Sequence, residues 1–378
     1  MMQRTNLIIL FLLSVAVAVH GQKSRVLSVI QLIESEKYTE ARESIDLAVE
    51  NDRTSEWNRT YYAKGLLCQK AYEAGKEKKD EKLYTLYPDQ LIVAYTAYEK
   101  ALKLNPGNRI ITAIAKNYYT LANDFQSEGK EHYRAREYSK ALNSFEYALL
   151  ITQSHLVSVK TDTSLIYNTA MAAYQAGKWD KAVGYLTGLN EDSYDPEVAL
   201  LLYRAHLHQG DSLMAEKVLK EGVGRYTGDE EIVLQLTDLL VADNRVEEAV
   251  EVLDSAAAMH PDSAVFPWTR GLVLEESERY DEAILSLKQA LELAPEEAGI
   301  HYSLGICYYN LGVSDEERAR MITDNRAYME VMEVARKNFL EAVKYLEQAR
   351  KLDPGHSRTN SRLNVLYQHL QLDRSGQN

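Results

Sequence analysis

Cysteine is scarce: 378 residues carry only Cys68 and Cys307. A disulfide-stapled scaffold is thereby excluded, and the wide separation of the two in sequence argues against even one bridge, which needs closely spaced Cα atoms. Both are expected as free, buried thiols. Basic charge is also short, with 43 lysines and arginines against 56 acidic residues and a net charge of −13. Such a surface repels phosphate backbones, and the densest basic cluster, Lys76, Lys78, Lys79 and Lys82, is interleaved with Glu77, Asp80 and Glu81. Nucleic acid is not an expected partner. No phosphate-binding glycine loop, zinc-protease pair, serine elbow, calcium loop or CxxC occurs. His206 and His208 are two apart on an expected helix, so they diverge and cannot share a metal. No catalytic residue, cofactor or metal is expected.

Long apolar runs are equally rare. The longest, Leu7 to Val19, is broken only by Ser14 and spans 13 residues, against about 20 for a membrane-crossing helix. With Arg4 before it and small residues after, it reads as a secretory signal over residues 1–21. Cleavage is expected between Gly21 and Gln22, or alternatively after Ala18. An exported, periplasmic or envelope-associated protein is the expectation.

What the chain does have is repetition. Ala215, Ala249 and Ala283 are 34 residues apart, and Ala342 sits at the same phase of a later unit. The clearest copy, 264–297, carries Trp268, Gly271, Tyr280, Ala283, Leu287, Ala290 and Pro295. In its second helix Tyr280, Ala283, Ile284, Leu287, Ala290 and Leu291 form one apolar stripe. Further copies show Tyr38, Ala41, Ile45 and Ala48 in 22–55; Ala170, Gly177, Trp179, Ala182 and Leu186 in 163–195; and Ala249, Leu253, Ala256 and Pro261 in 230–263. The copy at 196–229 is degenerate, with Tyr203 where a small residue is usual. These residues and their 34-residue period resemble the tetratricopeptide repeat family. The Gln after the expected cut resembles exported Bacteroidetes-type bacterial proteins.

The resemblance implies an all-α, right-handed superhelical solenoid of about eight helix-turn-helix units over 22–373, with a capping helix over 358–372 and a disordered tail at 374–378. Three units are stretched: by about 17 residues near 76–91, about seven at 130–136 between Ala122, Phe125, Gly129 and Ala141, and about 25 near 313–338. The last of these has neither Gly nor Pro from Asp315 to Asn338 and is expected to be largely helical.

The same resemblance implies a concave groove. Three residues before the small residue of each first helix stand Tyr62, Tyr119, Tyr167, Trp268 and Tyr302, with Leu200 and Leu234 in two other copies. Four residues after it come Tyr174 and Tyr309, bordered by Arg204 and His208. Such an aromatic ladder can grip a protein segment by ring contact and hydroxyl hydrogen bonds. The carboxylate clamp known in the family is not expected, because only Asn123 matches its asparagine and no copy has its first lysine. A non-enzymatic protein-binding scaffold is the leading expectation. Its alternatives are an accessory subunit of an envelope machine working through the insertions, and a hydrolase using Asp238, Glu275 and Glu276.

Overall fold

A computed structural model describes residues 23–157, 162–192, 194–226 and 228–371. The expected signal segment, with Gly21 and Gln22, and the expected tail at 374–378 lie outside the described residues. Among the described residues every regular element is a helix. The chain divides into two compact units, one ending at Leu189 and the other beginning at Asn190.

The first unit pairs α1 (23–34) with α2 (Tyr38–Glu50), and α3 (Asn58–Lys78) with α5 (Gln90–Lys103), with the single turn α4 (Glu81–Tyr84) between them. It continues with α6 (Asn108–Arg134) and α7 (Tyr138–Thr152), then α8 (Thr163–Gln175) and α9 (Trp179–Glu191). The second unit pairs α10 (Pro196–Gln209) with α11 (Ser212–Arg225), α12 (Glu230–Ala242) with α13 (Val246–Met259), α14 (Val265–Glu276) with α15 (Tyr280–Leu293), and α16 (Ala298–Arg320) with α17 (Asn325–Leu352). A lone helix, α18 (Ser357–Leu370), covers the last pair. Among the described residues the fold is thus all-helical, with four helix pairs in the first unit and four pairs and a cap in the second.

The alanine phase marks the buried stripe of each second helix: Ala215, Ala249, Ala283 and Ala342 are all fully buried. Small side chains there let helix axes approach, and the repeated approach makes each unit a stack. The turns repeat as well. Two residues before the second helix, Glu36, Arg136, Gly177, Gly210, Asn244 and Glu278 take a left-handed conformation, with φ between 58° and 78°. The next amide donates back into the last turn of the first helix, as Arg245 N–H does to Leu240 O at 2.8 Å and Arg279 N–H to Leu274 O at 2.9 Å. That bond satisfies a carbonyl that the helix end leaves open. Four of the six are not glycine, so each accepts a local cost on the order of 1 kcal/mol for left-handed backbone. The side chains of the same residues pair with acids: Arg245 bridges Glu216 and Glu248, and 34 residues later Arg279 bridges Glu247 and Glu282.

Four of the described pairs, α3 with α5, α6 with α7, α14 with α15 and α16 with α17, have a glycine on the first helix under a large side chain of the second. A Cβ on Gly271 would lie 2.5 Å from Leu287, and one on Gly305 2.5 Å from Leu346. The third pair corrects the register read from sequence. Gly271 stands nine residues before Tyr280, and Gly129 stands nine before Tyr138. A Cβ on Gly129 would lie 2.6 Å from the Phe145 ring. Gly129, not Ala122, is therefore the small residue of this pair. The additional residues lie in the first turns of α6, and residues 130–134 simply complete that helix. Counting three back from Gly129 reaches Gln126, so Tyr119 does not hold the ladder position.

The other two stretched segments take different forms. Near 76–91, Gln90 is buried and its side-chain amide donates to Cys68 O and Leu83 O at 2.9 and 3.0 Å, tying the α4 connection onto α3. Near 313–338 the last hairpin runs on as two long helices that turn at 321–324. Gly312 repeats the Gly305 contact seven residues later, against Phe339, which stands seven before Leu346.

Candidate functional site

In the second unit the structure brings Trp268 and Tyr302 together. They line a cleft of about 310 Å³ with Glu297, Gly299, Asp353, His356 and Thr359. Trp268 rises from α14 and lies on the start of α16, where a Cβ on Gly299 would meet its ring at 2.6 Å. Its indole N–H donates to Ser303 Oγ at 3.2 Å. Tyr302, one repeat on, meets His356 edge to face at 4.9 Å between ring centres. His356 Nδ1 is in turn 2.6 Å from Thr359 Oγ1. One face of each ring is therefore seated on the following repeat, and the rest borders the cleft, the geometry in which aromatics serve both packing and recognition.

The remaining positions of the second unit are more tightly held. Tyr309 packs on Phe339 with ring centres 5.9 Å apart, and the Arg362 guanidinium covers it at 4.3 Å. It belongs to the seam between the last pair and the cap. Arg204 is ion-paired with Glu231 at 2.8 Å. His208 is exposed at the end of α10.

In the first unit Tyr62 is half-buried against Tyr98, ring centres 6.2 Å apart, and lines a cleft of about 530 Å³. Burial raises its phenol pKa, opposed by a hydrogen bond to Asn117 and by the Arg109 charge. Tyr167 lines a smaller cleft of about 250 Å³ with Lys130, Tyr133, Arg134, Phe145 and Met171. Tyr174 stands edge-on to Trp179 at 5.2 Å, across the α8–α9 turn. Tyr119 is 57% exposed and lines none of these clefts.

Glu275 accepts a hydrogen bond from Asn310 at 3.1 Å, and burial, then the neighbouring Glu276 charge, raises its pKa. Among the described residues no group of three His, Cys, Asp or Glu side chains could hold a metal ion. Cys68 and Cys307 are free and buried, and burial pushes each thiol up to about 12.

Sequence reading missed the groups that decide whether a ladder ring is open. Gly299 is visible only as a glycine in a first helical turn. His356 and Asp353 come from the connection after α17, at the end of the stretched last unit.

Comparison with known proteins places this geometry in a family context. Residues 271–312 match a family model described as TPR repeat, and residues 234–285 one described as tetratricopeptide repeat. The stretch from α12 into α16 thus carries tetratricopeptide repeats. An uncharacterised protein of Sinorhizobium fredii is 30% identical over 101 residues, 27% of this chain. The match covers 56% of that protein, so the chain spans little more than half the length of the curated relative. Among solved structures, a TPR repeats protein from Bacteroides fragilis is 18% identical, with 66% of this chain and 98% of that one covered and a TM-score of 0.37. MamA from Desulfovibrio magneticus is 20% identical, with 50% and 97% covered and a TM-score of 0.34.

Proposed function

We propose that this chain is a non-enzymatic scaffold that binds a segment of a partner protein in clefts between successive first helices, and that it works in the cell envelope after export. The observation that supports the binding mode most directly is the meeting of Trp268 and Tyr302 in one open cleft with a polar rim. An aromatic floor with Glu297, Asp353 and His356 around it offers ring contact at the centre and hydrogen bonds at the edge, the usual division of an interface. The apolar run over residues 7–19 supports export, and the net charge of −13 weighs against a nucleic-acid partner.

In-cell cross-linking followed by mass spectrometry tests this reading, with Tyr302→Ala and Trp268→Phe variants alongside the native protein. Phenylalanine keeps an aromatic side chain but removes the indole N–H to Ser303 and the outer ring edge that meets Gly299, so circular dichroism is recorded beside capture to separate loss of binding from loss of fold. A partner captured by the native chain and lost from the Tyr302→Ala variant supports the cleft. Cell fractionation in the same experiment tests the location, and recovery of the chain with cytoplasmic markers would count against export.

A second reading, an accessory subunit of a larger envelope assembly, draws on the long hairpin. Met321 at its turn is 86% exposed and Met329 60% exposed. Partner capture that survives Tyr302→Ala but fails when 313–338 is shortened would favour it.

A further inference from the structure

The cleft of about 530 Å³ in the first unit differs in chemistry from the cleft of the second, adding two arginines to its apolar lining. Its lining is mainly aliphatic, Val26, Leu27 and Ile30 from α1 and Ile110 from α6, with Tyr62 as its one ring. Arg59 and Arg109, in the first turns of α3 and α6, also line it. Both are exposed, and among the described residues neither has a carboxylate within ion-pair distance. Arg204, Arg245, Arg270, Arg279 and Arg318 each hold one, whereas the charge of these two is left uncompensated beside the cleft. The acidic residue nearest Arg59 in sequence, Glu56, is engaged with Lys100 at 3.8 Å. Lys23 adds to the positive charge, since it and Arg59 lie over the Trp57 ring at 5.4 and 5.6 Å.

Charge complementarity identifies the occupant. In a chain of net charge −13, a local excess of cations around an apolar floor favours an anionic ligand, and repels a basic one. A guanidinium recognises a carboxylate through paired N–H donors. Capture of a chain terminus would use further amide donors, and the Asn58 amide that lines this cleft already donates to Leu104 O at 3.2 Å. The charged donors left to a ligand are those of the two arginines.

We propose that this cleft binds an internal segment of a partner protein in which acidic side chains flank an apolar one. The carboxylates pair with Arg59 and Arg109, and the apolar side chain lies on Val26, Ile30 and Ile110. This rests on the scaffold reading and gives the first unit its own ligand chemistry.

Fluorescence anisotropy with a labelled, C-terminally amidated peptide alternating glutamate with leucine and phenylalanine tests it on the purified protein. Saturable binding is expected, weakened about tenfold or more in the double variant Arg59→Gln/Arg109→Gln and weakened similarly when the peptide carries glutamine. Both arginines are exposed, so the variant should keep its helical circular dichroism. Equal binding of the glutamine peptide, or undiminished binding by the double variant, would overturn the proposal. So would failure of every amidated peptide, or binding only of a version with a free C terminus. Tyr302→Ala, in the other unit, should leave this binding unchanged. If the cross-linked partner still depends on Tyr302 while the acidic peptide does not bind, the scaffold reading stands and this site falls.

Discussion

The two units solve one packing problem with different side chains. In each, a glycine on a first helix sits under a large residue of its second helix. In the first unit that residue is a ring, Tyr98 over Gly65 and Phe145 over Gly129; in the second it is leucine at the repeat glycines, Leu287 over Gly271 and Leu346 over Gly305, with a ring, Phe339 over Gly312, only where the last hairpin runs on. The choice spreads outward. The first unit buries Tyr38, Tyr61, Tyr72, Tyr87, Tyr98 and Tyr118, the second only Tyr203 and Tyr367. A buried phenol needs a partner, and the first unit supplies a polar network. The Tyr98 hydroxyl donates to Gln69 Oε1 and accepts from Asn117 Nδ2, both at 3.0 Å. Gln69 Nε2 donates onward to Thr120 Oγ1 at 2.6 Å. The second unit packs Leu201, Leu202, Leu236, Leu253 and Leu287 with no such requirement. An identical backbone contact is therefore compatible with two interiors, one specified by hydrogen bonds and one by volume.

The sharpest way to break this comparison is a methyl group under each large residue. A Cβ at position 65 would lie 2.6 Å from the Tyr98 ring, and that ring is pinned by its two hydrogen bonds. Leu287 is free of such ties and can rotate. Gly65→Ala should cost about 3 kcal/mol and Gly271→Ala about 1 kcal/mol, each net of the helix-propensity gain of alanine over glycine. Urea unfolding followed by hydrogen exchange in each unit measures both. Equal costs would mean that the hydrogen bonds do not hold the ring in place.

A smaller effect follows from the hydroxyl alone. Tyr98→Phe keeps the ring over Gly65 but leaves Gln69 Oε1 and Asn117 Nδ2 without this partner, which should cost about 2 kcal/mol, because an orphaned buried polar group bears its desolvation penalty with no bond to offset it. Exchange protection should fall in α3, α5 and α6 and stay unchanged in the second unit. Uniform loss across both units would show that the network does not act locally.

Sequence conveyed the helix pairs well because the alanine phase, the glycine positions and the turns all repeat. It failed at α6 for a geometric reason. Ala122 and Gly129 are seven residues apart, close to two full turns, so sliding the template by that amount keeps every apolar residue on the same face. Only the distance to the turn, fixed by Arg136 in its left-handed conformation, distinguishes the two registers. The clefts were less legible. The phase of Trp268 and Tyr302 identifies them as rings on the right face, but Gly299 and His356 determine what those rings rest on. Arg59 and Arg109 gave no periodic signal, since each stands in a first turn outside the repeat pattern.

The least costly test of the polar interior uses pH. Asp124, on α6, has a carboxyl held at about 7 rather than 3.8, chiefly because burial penalises its charge and then because Glu73 on α3 repels it. One oxygen of each, Asp124 Oδ2 and Glu73 Oε1, is buried without a hydrogen-bond partner. Lys70 and Gln69 oppose the shift without cancelling it. A carboxyl whose folded pKa exceeds its unfolded value binds a proton more tightly in the folded state, so stability is highest below about 4, falls as pH rises towards 7, and is level above that. Asp124→Asn removes the ionisable group and should flatten that part of the profile. The variant should gain about 1 kcal/mol over the native protein at pH 8 relative to pH 5, well below the full linkage value because the site relaxes and the amide loses some contact with Lys70. Urea midpoints at the two pH values measure it. An unchanged slope would mean that the Asp124 charge is accommodated without cost, and that the first unit tolerates buried charge as well as buried hydroxyls.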